Sequence, residues 1–147
     1  MAIRAVLIDL DGTLLDTVPD LADAANAMLA ELGRLTLPAD TIRDFVGKGI
    51  PNLVGRCLGY PGESAAPDAQ AALAVFWRHY AAVNGRRTRL YPGVLEGLQA
   101  MRAAGLKTAC VTNKAAAFTE PLLAATGLAA LLDLAVSGDT LAEKKPH

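Results

Sequence analysis

A short, uninterrupted apolar run near the start of the chain constrains the fold more than any other feature of the sequence. A strand is predicted at residues 4–10, in which residues 5–8 are all apolar without alternation, and Gly12 closes the segment after Asp11. Unbroken apolar runs of this length are typical of central parallel strands that are covered on both faces. Asp9 and Asp11 cut the run short, so we expect neither a signal peptide nor a membrane span here.

Beyond this strand the pattern changes twice. Residues 17–86 show helical spacing, interrupted by a loop rich in Gly, Pro and Ser at residues 59–67. From residue 87 onward strands alternate with helices, which favours a parallel sheet with crossover helices. The predicted fold class is therefore α/β, with core segments at residues 1–16 and 87–147 and an inserted α-helical cap domain at residues 17–86. Helices are predicted at residues 18–32, 39–46, 51–58, 68–83, 94–104 and 115–126, and further strands at 106–112 and 134–137.

Composition excludes several classes of protein. Hydrophobic residues make up 52% of the 147 residues and charged residues 20%, which is enough apolar material for a core and excludes disorder. A net charge of -1 gives no basic surface for nucleic acid or a membrane. Two cysteines and two histidines argue against a disulfide framework, a histidine-built metal site and a Ser-His-Asp triad. A reducing, cytoplasmic setting fits this composition.

Two carboxylates at the end of the first strand carry the first chemical signal. Asp9 and Asp11 lie two residues apart, so their side chains face the same space if the backbone stays extended. Ligands of open α/β sheets bind at this end of the strands, and an oxygen-binding cation such as Mg²⁺ suits two acids there. Gly12 allows close approach of the backbone to an anion, and Thr13 adds a hydroxyl. The alternative is a simple Asp-Gly turn that closes the strand.

Polar residues also follow the other two predicted strands of the core. Thr112, Asn113 and Lys114 come after one, and a Gly-Asp-Thr segment followed by Lys145 comes after the other. Each group by itself is explained equally well as a polar loop or a helix N-cap. Together, acids after one strand, hydroxyl and amide groups after the next and a lysine after the third form a constellation suited to phosphoryl transfer.

These segments resemble the haloacid dehalogenase (HAD) superfamily across essentially the whole chain. Its first motif is similar to residues 9–14 (DLDGTL) with Asp16, its second to residues 111–114 (VTNK) and its third to Lys145-Pro146. Within the superfamily, the resemblance is to the phosphoglycolate phosphatase family. It is carried by the helical insertion and by residues 45–49 (FVGKG), 90–94 (LYPGV) and 138–141 (GDTL). The resemblance implies a Rossmann-like parallel sheet core with a helical cap.

The activity implied by the resemblance is that of a Mg²⁺-dependent phosphatase. Asp9 would attack phosphorus and form an aspartyl-phosphate, while Asp11 would act first as general acid and then as general base. The Asp9 carboxylate and the Asp11 backbone carbonyl would hold Mg²⁺. Thr112 and Asn113 would orient phosphate oxygens or the nucleophile, and Lys145 would offset the charge that develops in the transition state.

The substrate implied by the resemblance is a small phosphorylated carboxylic acid, 2-phosphoglycolate, which is hydrolysed to glycolate and phosphate. Gly12 and Thr13 are assigned to phosphate binding. In the predicted cap, the Gly47-Lys48-Gly49 turn brings Lys48 as a cation for the substrate carboxylate. The alternative for Lys48 is a solvated lysine in a loop. No nucleic-acid or membrane partner is expected.

One motif of the superfamily does not occur in this sequence. An acidic fourth motif that completes the Mg²⁺ site is expected after Lys145, and the sequence ends at His147. We therefore expect the N-terminal part of a phosphatase, with a sheet core that is incomplete at the C-terminus. Weak Mg²⁺ binding and self-association through the exposed edge of the first strand follow from this expectation.

Two further functions stay open. A sugar-phosphate mutase of the same superfamily uses the same pair of aspartates, and a non-catalytic phosphate-binding fragment fits an incomplete metal site. A phosphonatase is disfavoured because that subgroup typically has Ala at the position of Asp11. A dehalogenase is disfavoured because it needs neither Asp11 nor Mg²⁺.

Overall fold

The computed structural model of the protein describes residues 2–61 and 67–146. Two compact units are present: a core unit formed by Met1–Asp16 with Arg89–His147, and a helical unit, Thr17–Thr88. The core unit contains strands β1 (Ala5–Ile8), β2 (Leu15–Asp16), β3 (Arg89–Leu90), β4 (Lys107–Val111) and β5 (Leu134–Val136), helices α5 (Val94–Ala103) and α6 (Ala116–Ala125) and a 3₁₀ turn at Leu128–Leu131. The helical unit contains α1 (Val18–Glu31), α2 (Ala39–Arg43), α3 (Ile50–Cys57) and α4 (Pro67–Val83).

The core unit is built on a parallel sheet, which confirms the predicted α/β class. Strands lie in the order β1-β4-β5, and both pairs are parallel. Ile8 is level with Cys110, which is in turn level with Ala135, so these three side chains lie in one row across the sheet. This face packs into an apolar core made with α5, α6 and the 3₁₀ turn; its fully or nearly buried members include Leu10, Leu98, Cys110, Leu122 and Leu128.

The first strand is shorter than the strand predicted at residues 4–10. It ends at Ile8, because the next residues form a turn rather than extended backbone. The Leu10 carbonyl accepts hydrogen bonds from the backbone N–H groups of Thr13, Leu14 and Leu15 at 3.0–3.2 Å. Leu10 nevertheless stays fully buried. The strand predicted at residues 4–10 is therefore observed only at Ala5–Ile8, and the expectation that both of its faces are covered is wrong, because Leu7 is 71% exposed.

A second, two-stranded sheet was not predicted. Strand β2 pairs antiparallel with β3, with Leu15 level with Leu90 and Asp16 level with Arg89. The core unit resumes at Arg89 rather than at residue 87, because Thr88 still binds within the helical unit. The residues on either side of the helical insertion are thus hydrogen-bonded to each other.

The helical unit has its own core, formed chiefly between α1 and α4. Phe76 and Tyr80 of α4 are fully buried and stacked, with ring centroids 5.6 Å apart. Met28 and Leu29 of α1 are also buried. Phe76 and Tyr80 are accordingly core residues, as their helical spacing indicates, whereas Trp77 is only partly buried.

A buried carboxylate fixes the last loop of the helical unit. Asp20 of α1 is fully buried and accepts hydrogen bonds from the backbone N–H groups of Gly85, Arg87 and Thr88 at 2.8–3.1 Å. The Thr88 hydroxyl donates a further bond of 2.6 Å to the same carboxylate. The loop before β3 is therefore held in place by one side chain.

Candidate active site

The carboxyl ends of β1, β4 and β5 bring two acids and two lysines together. Lys145, which follows β5, places its Nζ 2.9 Å from Asp9 Oδ1 and 2.8 Å from the Val111 carbonyl oxygen. Lys114, which follows β4, places its Nζ 3.2 Å from Asp11 Oδ1. Each predicted acid of the site thus pairs with a different ammonium group.

Asp9 is the more accessible of the two acids. Its Oδ1 accepts the backbone N–H of Leu10 at 2.9 Å as well as the Lys145 ammonium, and its side chain is partly exposed. The short ion pair is charge-assisted, which fixes the carboxylate in one orientation. A partly exposed, oriented carboxylate at the end of a parallel strand suits a nucleophile or a metal ligand.

The turn after Asp11 requires glycine. Gly12 has φ +77°, a conformation that side chains with a Cβ rarely adopt. Its N–H donates to the Leu15 carbonyl at 2.9 Å, and the Thr13 N–H donates to the Leu10 carbonyl at 3.2 Å. Both amides therefore bind within the turn, and the assignment of Gly12 and Thr13 to phosphate binding stays a prediction.

Asn113 binds the backbone of Lys145. Its Oδ1 accepts the Lys145 N–H at 2.9 Å, and its Nδ2 donates to the Lys145 carbonyl at 3.2 Å. Thr112 is buried, and its Oγ1 accepts the Lys114 N–H at 3.1 Å. In this structure the two residues hold the two lysines, whereas the sequence predicts that they orient phosphate oxygens or the nucleophile.

The loop after β5 supports the loop after β4. The Gly138 N–H donates to the Lys114 carbonyl at 2.8 Å. A Cβ at Gly138 would lie 2.1 Å from the Asn113 carbonyl oxygen, so only glycine fits there without a backbone shift. Asp139 Oδ1 accepts the Ala116 N–H at the start of α6 at 2.8 Å. Sequence reasoning missed the supporting role of Gly138, for which its place directly after a strand was the available signal.

Cys110 lies in β4, which leads into the site, and its thiol is unreactive. The pKa of the Cys110 thiol is raised to about 11, chiefly by burial and to a smaller extent by the nearby carboxylates of Asp9 and Asp11, while Lys145 lowers it. The thiol is therefore un-ionised near neutral pH, which excludes it as a nucleophile in this site.

The donor set suits a hard cation. Within residues 2–61 and 67–146, no group of three or more His, Cys, Asp or Glu side chains could hold a metal ion. Asp9 and Asp11 still offer carboxylate and carbonyl oxygens, and Mg²⁺ is commonly held by one or two carboxylates together with water and substrate phosphate. The residues present therefore fit Mg²⁺ by chemistry.

Lys48 belongs to the helical unit. It lies between α2 and α3, next to Gly47 and Gly49, which both have positive φ. Phe45, three residues before Lys48, stacks under the Arg56 guanidinium, whose carbon is 4.6 Å from the ring centroid. The side chain of Lys48 is exposed, and its predicted contact with a substrate carboxylate stays a prediction.

None of the helices in the described parts of the chain has the length and apolar character that crossing a bilayer requires.

Residues 3–147 match the haloacid dehalogenase-like hydrolase family. The chain is similar to a plasmid-encoded phosphoglycolate phosphatase of Cupriavidus necator, with 52% identity over 97% of this chain and 62% of the relative. It is also similar to the phosphoglycolate phosphatase of Nitrosospira multiformis, with 53% identity over 99% of this chain and 65% of the relative. The chain thus spans less than two thirds of the length of these two relatives.

Two solved structures share the fold. One is described as a predicted phosphoglycolate phosphatase from Haemophilus somnus 129PT, with a TM-score of 0.88, 30% identity and coverage of 99% of this chain and 67% of that one. The other is CbbY from Rhodobacter sphaeroides in complex with phosphate, with a TM-score of 0.74, 26% identity and coverage of 99% and 68%. By its sequence over residues 3–147, its parallel sheet and its paired acids and lysines, the chain belongs to the haloacid dehalogenase-like hydrolase family.

Proposed function

We propose that this chain carries the phosphoryl-transfer centre of a Mg²⁺-dependent phosphatase that hydrolyses 2-phosphoglycolate to glycolate and phosphate. The observation that carries the proposal is the 2.9 Å contact between the Lys145 ammonium and the Asp9 carboxylate, beside Asp11 at the carboxyl end of the sheet. The names of the Cupriavidus and Nitrosospira relatives support the substrate. The phosphate bound to CbbY supports the class of ligand.

In the first half-reaction Asp9 attacks the phosphorus atom. A bond forms between a carboxylate oxygen of Asp9 and phosphorus while the ester P–O bond breaks, which gives an aspartyl-phosphate. The carboxylic acid of Asp11 gives its proton to the leaving alkoxide, so that the alcohol departs neutral. The Lys145 ammonium offsets negative charge on the transferring group.

In the second half-reaction water attacks the phosphorus of the aspartyl-phosphate. Asp11, now a carboxylate, takes the proton of that water as the new O–P bond forms and the bond to Asp9 breaks. Inorganic phosphate leaves and the Asp9 carboxylate is regenerated. One residue thus serves as acid and base, and its position must suit both steps.

Mg²⁺ would be held by the Asp9 carboxylate and the Asp11 backbone carbonyl, and when bound it supplies positive charge that polarises a phosphoryl oxygen. Mg²⁺ would compete with Lys145 for Asp9, because the Lys145 ammonium already contacts that carboxylate at 2.9 Å. We place this chemistry in the cytoplasm, where the buried, free thiols of Cys57 and Cys110 stay reduced.

A sugar-phosphate mutase would use the same two aspartates, so substrate choice has to separate the two functions. Phosphate release from 2-phosphoglycolate, measured with and without Mg²⁺ and compared with glucose 1-phosphate and glucose 6-phosphate, makes the distinction. Mg²⁺-dependent release from 2-phosphoglycolate is expected. Interconversion of the glucose phosphates without net phosphate release would overturn the proposal in favour of the mutase, and no turnover of either would favour a non-catalytic phosphate-binding fragment.

A further inference from the structure

Lys114 is a buried lysine directly beside Asp11, and the proposed mechanism assigns it no role. Its side chain is 4% exposed, and its Nζ lies 3.2 Å from Asp11 Oδ1, whose side chain is 14% exposed. Lysine is almost never buried to this extent unless it is paired, because the ammonium group loses its hydration. Lys145 differs from it, since that side chain is far more exposed and contacts Asp9 instead.

Hydrogen bonds fix both the N–H and the carbonyl group of Lys114. Its N–H donates to Thr112 Oγ1 at 3.1 Å, and its carbonyl accepts the Gly138 N–H at 2.8 Å and the Thr119 hydroxyl at 3.4 Å. The close approach of Gly138 to Asn113 leaves this loop little room to move. The backbone from which the Lys114 side chain extends is therefore held in place. A buried charge at a fixed position orients the group with which it pairs.

We propose that Lys114 is a positioning residue that sets the orientation of the Asp11 carboxyl group for proton transfer. The Lys114 ammonium lies against Oδ1 of Asp11, an oxygen that accepts a donor whether or not Oδ2 carries a proton, and thereby fixes the rotamer of that side chain. A fixed rotamer lets one carboxyl group give a proton to the leaving oxygen and later take one from water at the same place. The inference deepens the proposed function and rests on it for its kinetic consequence.

The kinetic test compares phenyl phosphate with p-nitrophenyl phosphate in the Lys114→Met variant. The two substrates are similar in size, but phenolate is the poorer leaving group and depends more on protonation by Asp11. Rapid-quench measurement should show that the rate constant of the phosphorylation step falls by a factor on the order of 10² for phenyl phosphate. With p-nitrophenyl phosphate, the same variant should still show an initial burst of nitrophenol, followed by slow turnover. Equal losses for the two substrates would overturn the proposal.

Lys107→Met serves as the matched control. Lys107 lies on the same strand as the residues that lead into the site, and its exposed ammonium is 3.7 Å from Asp133 on the surface. Its removal should leave the phosphorylation step unchanged for both substrates. In the Asp11→Asn background, Lys114→Met should add no further dependence on the leaving group, because the group it positions is already gone. A full additional loss there would contradict the positioning role.

A second measurement needs no activity. Melting temperatures of the wild type, Lys114→Met, Asp11→Asn and the double variant form a cycle in which the double variant should be more stable than the sum of the two single effects predicts. The reason is that Lys114→Met alone leaves the Asp11 carboxylate without this ammonium in a mostly buried place. Additive effects would overturn the proposal. Lys114→Gln retains an N–H donor of similar reach and is the variant to use should the Met variant not fold.

The structure of the Lys114→Met protein, which has no donor at this position, supplies the direct readout. We expect the Asp11 side chain to leave its present rotamer, and an unchanged rotamer would contradict the proposal. The two failures are distinguishable. Absence of phosphate release from every monoester by the wild type would defeat the proposed function while the stability cycle still tests the pairing, and an active wild type with an additive cycle would defeat only the role of Lys114.

Discussion

Asp9 and Asp11 lie two residues apart, yet each pairs with a lysine from a different loop. The Lys145 ammonium meets a partly exposed carboxylate, whereas the Lys114 ammonium meets a mostly buried one. In the mechanism that we propose, exposure suits Asp9, which has to reach phosphorus, and burial suits Asp11, which has to keep one orientation. The two acids are therefore distinguished by their surroundings and not by their residue type.

Replacing the proposed nucleophile gives the sharpest residue-scale prediction. Asp9→Asn keeps the shape of the side chain but removes the anionic oxygen, so phosphate release should fall by roughly 10⁴-fold while the protein stays folded. Circular dichroism gives the folding control. Asp11→Asn should instead accumulate phosphoenzyme, detected by acid quench with radiolabelled substrate, because the base that activates water is lost. Turnover at the wild-type rate in Asp9→Asn would contradict the covalent mechanism.

Lys48 carries a prediction about substrate choice. If its ammonium contacts the carboxylate of 2-phosphoglycolate, Lys48→Ala should raise KM for that substrate roughly tenfold, which corresponds to about 1.4 kcal/mol. KM for p-nitrophenyl phosphate, which has no carboxylate, should stay nearly constant. Arg56→Ala, which removes the cation stacked on Phe45, tests whether the loop conformation matters as well. Equal effects of Lys48→Ala on the two substrates would leave this lysine without a role in specificity.

The acids of the site were predictable from sequence because they follow one strand directly. Thr112 and Asn113 were also located correctly at the end of β4, but their contacts were not predicted. Asn113 binds the backbone of Lys145, 32 residues further along the chain. Contacts over such separations depend on how the two loops fold against each other, and a single sequence does not encode them in any local pattern.

At the scale of elements, the longer helices and strands β4 and β5 were predicted to within a residue or two, whereas the two-residue strands were missed. The predicted helix at residues 94–104 is observed as Val94–Ala103, and that at 68–83 as Pro67–Val83. Strands β2 and β3 have two residues each. Because two residues are too few to show alternation, no sequence pattern predicted them. The predicted helix at residues 39–46 stops at Arg43, where a series of turns leads toward Gly47.

The loop that precedes β3 carries an element-scale prediction. Asp20→Asn leaves one acceptor oxygen for three backbone N–H groups and the Thr88 hydroxyl, so at least one buried donor loses its partner. The free energy of unfolding should fall by about 1–3 kcal/mol, as measured by urea denaturation. The matched control is Asp23→Asn, whose carboxylate pairs with Arg87 at the surface and is worth about 0–1 kcal/mol. Similar losses in the two variants would show that burial of Asp20 adds nothing.

At the scale of the whole molecule, the two faces of the parallel sheet differ. Leu7, Ala109 and Leu134 are level with one another and lie on the face opposite to Ile8, Cys110 and Ala135. Leu7 is 71% exposed and Leu134 is 58% exposed. Parallel sheets normally have both faces covered, so an apolar row of this kind is unusual on a surface. The outer edge of β1 also pairs with no strand among the described residues.

These two features together predict that the chain as given associates with itself. An open strand edge beside exposed leucines favours pairing between copies, and a net charge of -1 provides little repulsion against it. Sedimentation velocity over a range of concentrations should show dimers or larger species. The double variant Leu7→Lys with Leu134→Lys should shift the protein toward monomer, because two charges then face each other across any such contact.

Leu35→Lys is the control for this prediction, since Leu35 is 90% exposed and belongs to the helical unit. It should leave the association unchanged if the sheet face drives it. A shift toward monomer in Leu35→Lys equal to that in the double variant would instead assign association to general surface hydrophobicity. A wild-type chain that sediments as a monomer at every concentration would show that neither the β1 edge nor the exposed leucines suffice to bind a second copy.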